Sequence, residues 1–579
     1  MMTNHNPLRR ELSLFMLAFT LVFFYACSPS SEEQTSDSSE IPDENWEFYG
    51  NDQTNKRYSA LTQLTPENVK DLKLAWQFDL EVDEAQECTP IVVDGTMYVT
   101  TASGPKFVYA LDAKTGDLKW KKEFEVPADV ARFACCGIVN RGATYDNGKI
   151  FVGRLDGHLT ALDAQTGEEL WTTEVVDYKQ GSVITSPPLV VGNKVMSGFG
   201  GGEYGATGYL SAYDVETGEE VWRTYTVPGD AMPTVRATWK GDSWKTGGAV
   251  PWFIGSYDPE LNLVYWGTSN PSPWNAAMRG PDTHEYGDMT NLYSASMLAI
   301  NPDDGQIQWH YQTTPYDAWD YDGVNEPVLS EINVNGTETP VLMKADRNGF
   351  FYVINRTNGK LVSAEKFVRT DWAERVDMET GRPVENPKYR LTSTNSVDAV
   401  WPSFIGGKNW QPMAYSPKTK LAYIPANHLG MSFAASEVEY QRGYFFLGSE
   451  WEIFQENEPG ELIAWDVENG KKAWGKKLKY PIPGGPVVTD GDLVFFGELT
   501  GNFHALNATN GEELWSYKTE SGIGAGAMTY ASGGKQYVAV VDGRPTVIPG
   551  FIGGELAEEM TTATPAGGTL YVFALPDAE

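Results

Sequence analysis

The sequence of 579 residues predicts an all-β protein, and its composition is the first observation in favour. The chain contains 58 Gly, 34 Pro, 19 Trp and 29 Tyr, and only 21% of its residues are charged. Aromatic residues favour strands, whereas Gly and Pro favour the turns between them. The net charge of −34 argues against nucleic acid as a partner, because phosphates would be repelled, and it fits a basic macromolecule better.

A repeated segment is the second observation. Its Asp/Asn-x-x-Thr/Asn-Gly core suits a hairpin turn, strand-like runs such as Lys149–Val152 flank the copies, and a Trp closes most of them. Several consecutive copies lie about 41–54 residues apart, which matches one four-stranded propeller blade per repeat. The copies are Ala110–Trp120, Ala161–Trp171, Ala212–Trp222, Ala299–Trp309, Ala464–Trp474 and Ala505–Trp515, with a degraded copy at Ile354 that lacks the Trp.

The number of blades follows from counting these copies. Seven visible copies and one hidden blade around Leu421–Ile424 predict eight blades. Leu570–Leu575 resembles the strand that precedes each turn, so we expect it to pair with the N-terminal segment and close the ring. We assign the repeat-closing tryptophans to packing between blades. The sequence therefore predicts an eight-bladed β-propeller with tryptophan-closed blade repeats over residues 45–579.

The N-terminus has the pattern of a targeting segment. Arg9 and Arg10 precede an apolar run, Leu12–Ala26. This run of about 15 residues is shorter than the roughly 20 that a membrane-spanning helix needs, and it fits a signal peptide. We therefore expect residues 1–26 to be a signal peptide and the protein to be exported to the periplasm.

Cys27 directly follows the small residue Ala26 at the end of this run and resembles the cleavage site of a bacterial lipoprotein. Phe24 and Tyr25 are bulkier than the usual pattern at such a site. We expect a lipid anchor on Cys27, followed by a flexible acidic tether over residues 27–44.

Two adjacent cysteines, Cys135 and Cys136, lie outside the repeats. Neighbouring Cα atoms are about 3.8 Å apart, whereas a disulfide prefers about 4.4–6.8 Å, so a bond between them requires a distorted peptide. Strain of this kind usually marks a functional site. The alternative is a pair of reduced, buried small side chains. An exported protein meets the oxidising compartment in which the bond would persist.

A second group of residues outside the repeats carries hard oxygen ligands. Glu203, Asn270, Asp320 and Asp322 are residue types that a calcium-like ion prefers. Asn270 lies in the long insertion between the copies at Ala212 and Ala299, and insertions on a repeat scaffold are where sites are commonly built. Taken singly, each residue also fits an ordinary turn or a solvated loop.

Four motifs together resemble those of one enzyme family. They are Cys-Cys-Gly-Ile-Val-Asn-Arg at 135–141, Thr-Ser-Asn-Pro-Ser-Pro-Trp-Asn at 268–275, Trp-Asp-Tyr-Asp-Gly-Val-Asn at 319–325 and Asp-Arg-Asn-Gly-Phe-Phe-Tyr-Val at 346–353. With the Trp-closed repeat, the chain from about Trp46 to Leu575 resembles the pyrroloquinoline-quinone (PQQ) dependent alcohol dehydrogenases, which include methanol and ethanol dehydrogenases. The resemblance implies an eight-bladed propeller that oxidises alcohols to aldehydes by hydride transfer to metal-bound PQQ.

The resemblance also implies a cofactor site. A vicinal disulfide of Cys135 and Cys136 would lie on one face of the quinone and Trp252 would stack on the other. Arginines suit the cofactor's carboxylates because their planar fork binds carboxylate bidentately. The cofactor-binding residues carried over are Glu87, Cys135, Cys136, Arg141, Thr185, Gly201, Gly202, Trp252, Arg347 and Asn409.

For the metal, the resemblance implies the ligands Glu203, Asn270, Asp320 and Asp322, with the ion acting as a Lewis acid. Asp320 would also be the general base, and the adjacent cation is expected to lower the pKa of its carboxyl group. The Asp-Tyr-Asp pattern that ends at Asp322 resembles the lanthanide-dependent members. A lanthanide(III) ion is therefore the prediction, and Ca²⁺ is the alternative.

The chain departs from the family pattern at four positions. Gly200 replaces a frequent serine, Val250 a frequent threonine and Tyr316 a frequent histidine, and Cys88 is left as an unpaired cysteine beside Glu87. These departures bear on the orientation of the substrate and cofactor more than on the identity of the cofactor.

Two other functions remain open at this stage. A non-catalytic propeller lipoprotein that acts as a scaffold for envelope assembly fits the repeats, and a PQQ enzyme for sugars or polyols fits the site. The sequence contains no Cys-x-x-Cys-His haem motif, so electrons would leave to a separate acceptor, for which a cytochrome c attracted by the acidic surface is expected. The sequence does not decide which alcohol is preferred or whether the protein forms a homodimer.

Overall fold

The computed structural model describes residues 42–229 and 232–577, and these form a predominantly antiparallel β structure. The signal peptide, Cys27 and most of the acidic tether lie outside the described residues. Within the described ranges, none of the helices is long and apolar enough to cross a membrane.

The described residues contain eight sheets with at least four strands each and one two-stranded sheet. In the first five sheets, four consecutive strands pair antiparallel in chain order, so each sheet is one local meander. Their strands are Ile91–Val93, Thr96–Thr100, Phe107–Asp112 and Leu118–Glu123; Thr144–Asp146, Lys149–Gly153, His158–Asp163 and Glu169–Glu174; Leu189–Val191, Lys194–Ser197, Tyr209–Asp214 and Glu220–Tyr225; Ser256–Asp258, Leu263–Gly267, Ser296–Ile300 and Ile307–Gln312; and Val328–Val334, Thr337–Ala345, Phe350–Asn355 and Leu361–Lys366.

The remaining sheets are less regular. The sixth contains Ser396–Val400, Ala414–Ser416, Leu421–Ala435, Ser449–Asp466 and Lys471–Leu478; the seventh contains Tyr58–Ser59, Val487–Thr489, Leu493–Gly497, Asn502–Asn507 and Glu513–Lys518; the eighth contains Lys73–Asp79, Met528–Ser532, Lys535–Val541 and Thr569–Ala574; and the two-stranded sheet contains Ala373–Val376 and Pro383–Glu385.

The ends of the described chain meet in the eighth sheet. Lys73–Asp79 pairs antiparallel with Thr569–Ala574, so that Leu74 lies opposite Phe573. The prediction that the strand at Leu570–Leu575 pairs with the N-terminal segment is therefore confirmed. This pairing joins the first and last parts of the chain in one hydrogen-bonded sheet.

The expectation of a separate sheet around Leu421–Ile424 is wrong. These residues begin the strand Leu421–Ala435, which pairs antiparallel with Ser449–Asp466, the strand that carries the repeat copy at Ala464. The two strands are 15 and 18 residues long and form a hairpin much longer than those of the other sheets. This extra length separates the copies in sequence without adding a sheet, and the eighth sheet comes instead from the two chain ends.

Turns and tryptophans explain the repeat physically. The Asp163 carboxylate accepts hydrogen bonds from the backbone N–H groups of Gln165 and Thr166, and Gly167 then adopts a φ of 73°. A Cβ atom on Gly167 would lie 2.6 Å from Cε3 of Trp120, whose indole N–H donates to the Ala164 carbonyl at 3.0 Å. The Trp of one sheet therefore packs directly on the turn of the next.

The same arrangement recurs along the chain. It is formed by Trp76 on Gly116, Trp171 on Gly218, Trp222 on Gly305, Trp309 on Gly359 and Trp474 on Gly511. Because a side chain at the glycine would occupy the space of the indole ring, the repeat needs both residue types together.

The core lies within and between the sheets. Inner strands such as Ile91–Val93 are buried, whereas outer strands such as Leu118–Glu123 expose alternate residues. The α-helices are Pro233–Arg236, Val547–Ile552 and Gly554–Thr562, and the 3-10 helices are Val69–Asp71, Val130–Arg132, Tyr178–Gln180, Gly202–Tyr204, Ser243–Thr246, Ala276–Met278 and Pro387–Tyr389.

Candidate active site

A cavity of about 420 Å³ opens among the loops that connect the sheets. Segments far apart in sequence contribute to its wall, including the disulfide loop, the helix Val547–Ile552 and the hairpin that contains Trp451. The sequence-predicted residues that line it are Cys135, Cys136, Arg141, Thr185, Gly201, Glu203, Trp252, Asp320, Arg347 and Asn409. The other four, Glu87, Gly202, Asn270 and Asp322, contact or lie beside these residues from outside the wall.

Cys135 and Cys136 are joined by a disulfide bond. Both are half-buried rather than fully buried, and both line the cavity. Trp252 lines the same cavity and is also half-buried. The bonded pair therefore lies on the cavity wall, and the alternative of two reduced, buried side chains is wrong.

Arg141 organises one end of the cavity. Its guanidinium lies 2.9 Å from the Glu87 carboxylate and donates a hydrogen bond to the Thr185 hydroxyl at 2.6 Å. It also lies over the ring of Trp410, 4.5 Å from the ring centroid. Burial raises the pKa of Glu87 to about 7, although the charge of Arg141 opposes this shift. Arg141 Nε is buried without a hydrogen-bond partner, so this part of the cavity retains a polar donor for a ligand.

Asp322 forms a second polar centre, which lies behind the cavity wall. One carboxylate oxygen accepts from the Trp252 indole N–H at 2.9 Å and lies 3.0 Å from Arg347 Nη2. The second oxygen accepts from the Asn270 backbone N–H at 2.6 Å. Asp322 therefore fixes the positions of Trp252, Asn270 and Arg347 at once.

Asp320 combines an uncommon backbone with burial. Its φ of 61° is left-handed, a conformation that costs a residue with a Cβ atom and that clusters at functional sites. Arg347 Nη1 lies 3.3 Å from its carboxylate. Burial raises the pKa of Asp320 well above its usual range, and the negative charge of Asp322 adds to the increase, while Arg347 opposes it. Burial and Asp322 thus act against ionisation of Asp320, and a nearby cation would act in the opposite direction.

Three oxygen-bearing side chains next to Asp322 fit a cation. Burial and the charge of Asp322 raise the pKa of Glu203 to about 7. Asn270 Oδ1 and Asp320 Oδ1 are buried and accept no hydrogen bond. Buried acceptors without donors carry a large desolvation cost that a bound cation removes.

The metal set Glu203, Asn270, Asp320 and Asp322 stays a prediction, and two observations bear on it. In residues 42–229 and 232–577, no three His, Cys, Asp or Glu side chains come together in an arrangement that could hold a metal ion. Asn270 is an amide, and both oxygens of Asp322 are already occupied by N–H donors. The metal role of Asp322 stays a prediction.

Two glycines allow the backbone to approach these residues. A Cβ atom on Gly201, whose φ is 129°, would lie 2.6 Å from the Gly181 carbonyl oxygen. On Gly202 it would lie 3.2 Å from the Ser269 hydroxyl and 3.4 Å from Asn270 Oδ1. Neither position has room for a larger residue without displacing the site.

Asn409 lies on another segment of the cavity wall. Its amide N–H donates to the Ile405 carbonyl at 2.8 Å, and its side-chain oxygen accepts from the Trp410 backbone N–H at 2.8 Å. These two bonds fix the segment that presents Asn409 and Trp410 to the cavity.

The departures from the family pattern have separate outcomes. A Cβ atom on Gly200 would meet nothing closer than 3.7 Å, so this position of the cavity wall has open space. Tyr316 is fully buried, and its hydroxyl is within 2.7 Å of two carbonyl oxygens, those of Ala276 and Pro281, which indicates a structural role. Cys88 is buried, and burial raises the pKa of its thiol to about 12, so it is an inert core residue.

Two buried ion pairs lie next to residues of the cavity wall. Lys408 lies 2.7 Å from Glu326 and Lys344 lies 3.1 Å from Asp346, and all four side chains are at most 1% exposed. Lys408 directly precedes Asn409, and Asp346 accepts a hydrogen bond from the backbone N–H of Arg347 at 2.7 Å. These pairs hold two segments of the cavity wall. Sequence reasoning missed them, and the available signal was that Lys408 directly precedes Asn409 and Asp346 directly precedes Arg347.

Sequence reasoning also missed the apolar part of the cavity wall. The residues concerned are Trp274, Phe404, Trp410, Phe445, Leu447, Trp451, Val547, Ile548 and Phe551. Trp274 belongs to the quoted motif at 268–275, and Trp410 follows Asn409, which were the available signals. The others lie outside the repeat copies and the quoted motifs, on loops, on the strand Ser449–Asp466 and on the helix Val547–Ile552.

Comparison with known proteins agrees with this fold. The sequence profile of the PQQ glucose/ethanol/alcohol dehydrogenase β-propeller domain matches residues 46–370 and 459–538. The quinohemoprotein alcohol dehydrogenase ADH IIB of Pseudomonas putida is 42% identical over 557 residues, which cover 93% of this chain and 78% of that protein. The lanthanide-dependent methanol dehydrogenase of Methylacidiphilum fumariolicum is 39% identical, with 92% of each chain covered.

A solved structure is similar over nearly the same span. The europium-containing methanol dehydrogenase superposes with a TM-score of 0.88 and 39% identity, covering 93% of this chain and 99% of that one. The chain therefore belongs to the family of PQQ β-propeller dehydrogenases. Within that family it is a PQQ-dependent alcohol dehydrogenase, and the alternative of a non-catalytic scaffold is wrong.

Proposed function

We propose that the cavity holds PQQ between the Cys135–Cys136 disulfide and Trp252, with a metal ion at Glu203, Asn270 and Asp320. The observation that carries this proposal is the set of buried polar atoms without hydrogen-bond partners at the cavity, which are Arg141 Nε, Asn270 Oδ1 and Asp320 Oδ1. A carboxylate-bearing quinone and a cation supply the complementary groups.

When bound, PQQ supplies the two-electron acceptor and the ion supplies Lewis-acid polarisation. Asp320 takes the proton from the alcohol hydroxyl. The adjacent cation counteracts the effects of burial and Asp322 on the pKa of Asp320, which keeps the base ionised. Arg347 orients Asp320 through the 3.3 Å contact, and Asp322 holds Arg347 in turn.

Asp322 supports a lanthanide(III) ion, with Ca²⁺ as the alternative. Among the described residues, the three acidic side chains Glu203, Asp320 and Asp322 have one guanidinium beside them, that of Arg347. A trivalent ion compensates one more negative charge than Ca²⁺ does. One of the relatives named above is a lanthanide-dependent methanol dehydrogenase, which supports the same choice.

The eight sheets are proposed to be the eight blades of one ring, closed by the strands at the two ends. The contacts of each repeat Trp with the turn of the next sheet support a tryptophan-closed arrangement. The proposed domain comprises residues 45–579, with residues 1–26 as a lipoprotein-type signal peptide and 27–44 as a tether.

The enzyme is proposed to act in the periplasm, anchored through Cys27, and to pass its electrons to a separate cytochrome c. The net charge of −34 favours a basic acceptor. Reduction of a basic cytochrome c should therefore slow as ionic strength rises, and a rate that does not depend on salt would contradict this acceptor.

Reconstitution tests the cofactor and metal assignments. The purified protein is loaded with PQQ and either La³⁺ or Ca²⁺, and dye-linked oxidation of 1-butanol is measured together with bound metal and PQQ. We expect activity with La³⁺ in the wild type and its loss in Asp322→Ala. Full activity with Ca²⁺ alone, unchanged in Asp322→Ala, would overturn the lanthanide assignment without affecting the PQQ site.

A further inference from the structure

Four aromatic side chains form a continuous wall on one part of the cavity. Trp274 lies 5.4 Å from Phe404 and 5.2 Å from Trp451, and Phe404 lies 5.3 Å from Trp451 and 5.5 Å from Phe551, measured between ring centroids. All four line the cavity. We refer to Trp274, Phe404, Trp451 and Phe551 as the aromatic wall.

The aromatic wall begins at the residue that orients the proposed base. Arg347 Nη1 donates to the Phe404 carbonyl at 3.3 Å and lies 3.3 Å from the Asp320 carboxylate. Asp320 and the aromatic wall also line the same cavity, so an alcohol whose hydroxyl reaches Asp320 shares this cavity with the four rings.

Backbone hydrogen bonds hold the wall in place. The Trp274 backbone N–H donates to the Leu447 carbonyl at 2.7 Å, which ties the 268–275 motif to the long hairpin of the sixth sheet. The Phe446 backbone N–H donates to the Glu203 carbonyl at 2.7 Å. The shape of this part of the cavity is thus fixed by the same contacts that place Glu203.

The chemistry of the wall selects against two substrate classes. Apart from the indole N–H groups, the four side chains carry no hydrogen-bonding atoms, and the neighbouring Leu447, Val547 and Ile548 are also apolar. The extra hydroxyls of a sugar or polyol would be desolvated there with few partners. Methanol has no group that could contact the rings, so it gains nothing from them.

We infer that the preferred substrates are primary alcohols that carry an aromatic or bulky apolar group, and that Phe551 and Trp451 determine this specificity. The inference rests on the proposed function, because it places the reacting hydroxyl at Asp320. The alcohol R–CH₂OH loses two electrons and two protons and becomes the aldehyde R–CHO, and one bound PQQ is reduced by the same two electrons and two protons. An aromatic R group packs against the rings with the offset or edge contacts that such groups prefer.

The first test is a substrate series on the loaded wild-type enzyme. We expect kcat/KM for benzyl alcohol to exceed that for methanol by at least about 100-fold, and glycerol to fall well below 1-butanol. If methanol or glycerol is preferred, the inference is wrong while the proposed function stands. If no alcohol is oxidised although PQQ and metal are bound, the proposed function fails instead.

Truncation of the wall is the second test. Phe551→Ala should lower kcat/KM for benzyl alcohol about 3- to 10-fold, mainly through KM, and leave the value for methanol within about 2-fold. The matched control is Tyr444→Ala, because Tyr444 is an aromatic residue on the same side of the protein that is 49% exposed and does not line the cavity. Equal losses for both alcohols in Phe551→Ala, or the same selective loss in Tyr444→Ala, would overturn the assignment.

A binding measurement separates specificity from chemistry. Ligand-observed NMR on the fully reduced enzyme, which cannot turn over, should detect benzyl alcohol and not glycerol, and the benzyl alcohol signal should weaken in Phe551→Ala. Trp451→Leu provides the second variant if Phe551→Ala does not fold. Equal binding of the two alcohols to the wild type would contradict the inference even when activity is normal.

Discussion

The repeat turns and the cavity treat their polar groups in opposite ways. In the turn at Asp163, the carboxylate receives two backbone N–H groups and Trp120 covers the glycine that follows. Around the cavity, charged or amide groups of Arg141, Asn270, Asp320 and Arg347 are buried with an atom that has no hydrogen-bond partner. The polar groups of the turns find their hydrogen-bond partners within the folded chain, whereas those of the cavity are left for a bound ligand.

The difference teaches where stability and function reside. A buried group without a partner costs stability, so such groups persist where a ligand compensates for them. Changes in the cavity should therefore alter chemistry with little loss of stability. Changes in the scaffold should do the reverse.

Asp320→Asn tests this separation with the largest expected effect. The amide cannot accept the alcohol proton, so kcat should fall by about 10²- to 10⁴-fold. The unfolding temperature of the protein without PQQ and metal should stay unchanged or rise, because a carboxyl group buried beside Asp322 is replaced by a neutral amide. Steady-state kinetics of the loaded enzyme and thermal unfolding of the unloaded protein measure the two effects.

Asp317→Asn is the matched control. The Asp317 carboxylate accepts backbone N–H groups of Trp319 and Tyr321 at 3.0 Å and does not line the cavity. We expect Asp317→Asn to lower the unfolding temperature and to leave kcat unchanged. If Asp320→Asn retains more than about a tenth of the wild-type kcat, the assignment of the base is wrong.

Lys408→Met probes the boundary between the two regions. Burial lowers the pKa of Lys408 and raises that of Glu326, and their mutual attraction opposes both shifts. Removing the lysine leaves a buried carboxylate without its partner and should cost about 3–5 kcal/mol in the free energy of unfolding. The double variant Lys408→Met/Glu326→Leu should recover most of this loss in urea denaturation, and a single variant as stable as the wild type would contradict the account.

Gly167→Ala probes the scaffold itself. The new Cβ atom would lie 2.6 Å from Cε3 of Trp120, so the ring must move. Gly192 is the control, because its φ of 59° is also left-handed but no atom lies within 4 Å of a Cβ there. We expect Gly192→Ala to cost about 1 kcal/mol and Gly167→Ala at least about 1 kcal/mol more, without a change in kcat. Equal costs in thermal or urea unfolding would show that the Trp contact contributes nothing.

Glu461 gives the smallest expected effect, a change in pH dependence. Burial acts to raise its pKa, but hydrogen bonds with His428 and Lys472 and the charge of Lys477 outweigh it and lower the pKa to about 2. Because the folded state has the lower pKa, this stabilisation is present above about pH 4.5 and is lost as pH falls toward 2. Glu461→Gln should flatten the decline in unfolding temperature between pH 5 and 3, whereas the exposed Glu458→Gln should not.

Local patterns predicted much of the fold. The Asp-x-x-Thr-Gly turns are formed by contacts within a few residues, so the sequence shows them directly. The pairing of Leu570–Leu575 with the N-terminal segment was also recognisable from its strand pattern. The prediction of a hidden sheet at Leu421 was wrong. The length of the strands in a hairpin depends on what the hairpin packs against, and no local pattern reveals that.

The site was predictable only where motifs carry it. Cys135, Arg141, Asp320 and Arg347 belong to such motifs, and the structure brings them to one cavity. The partners of Asp322 could not be read from the sequence, because Trp252, Asn270 and Arg347 come from three separate segments that meet only in the folded chain. The aromatic wall was missed for the same reason, since Phe551 and Trp451 come from unrelated segments.

The most direct test of the central claim is anomalous diffraction from crystals grown with PQQ and a lanthanide. The account predicts one strong peak in the cavity, within coordination distance of Glu203, Asn270 Oδ1 and Asp320, with quinone density between the disulfide and Trp252. A lanthanide peak elsewhere, or PQQ bound away from Cys135 and Trp252, would contradict it.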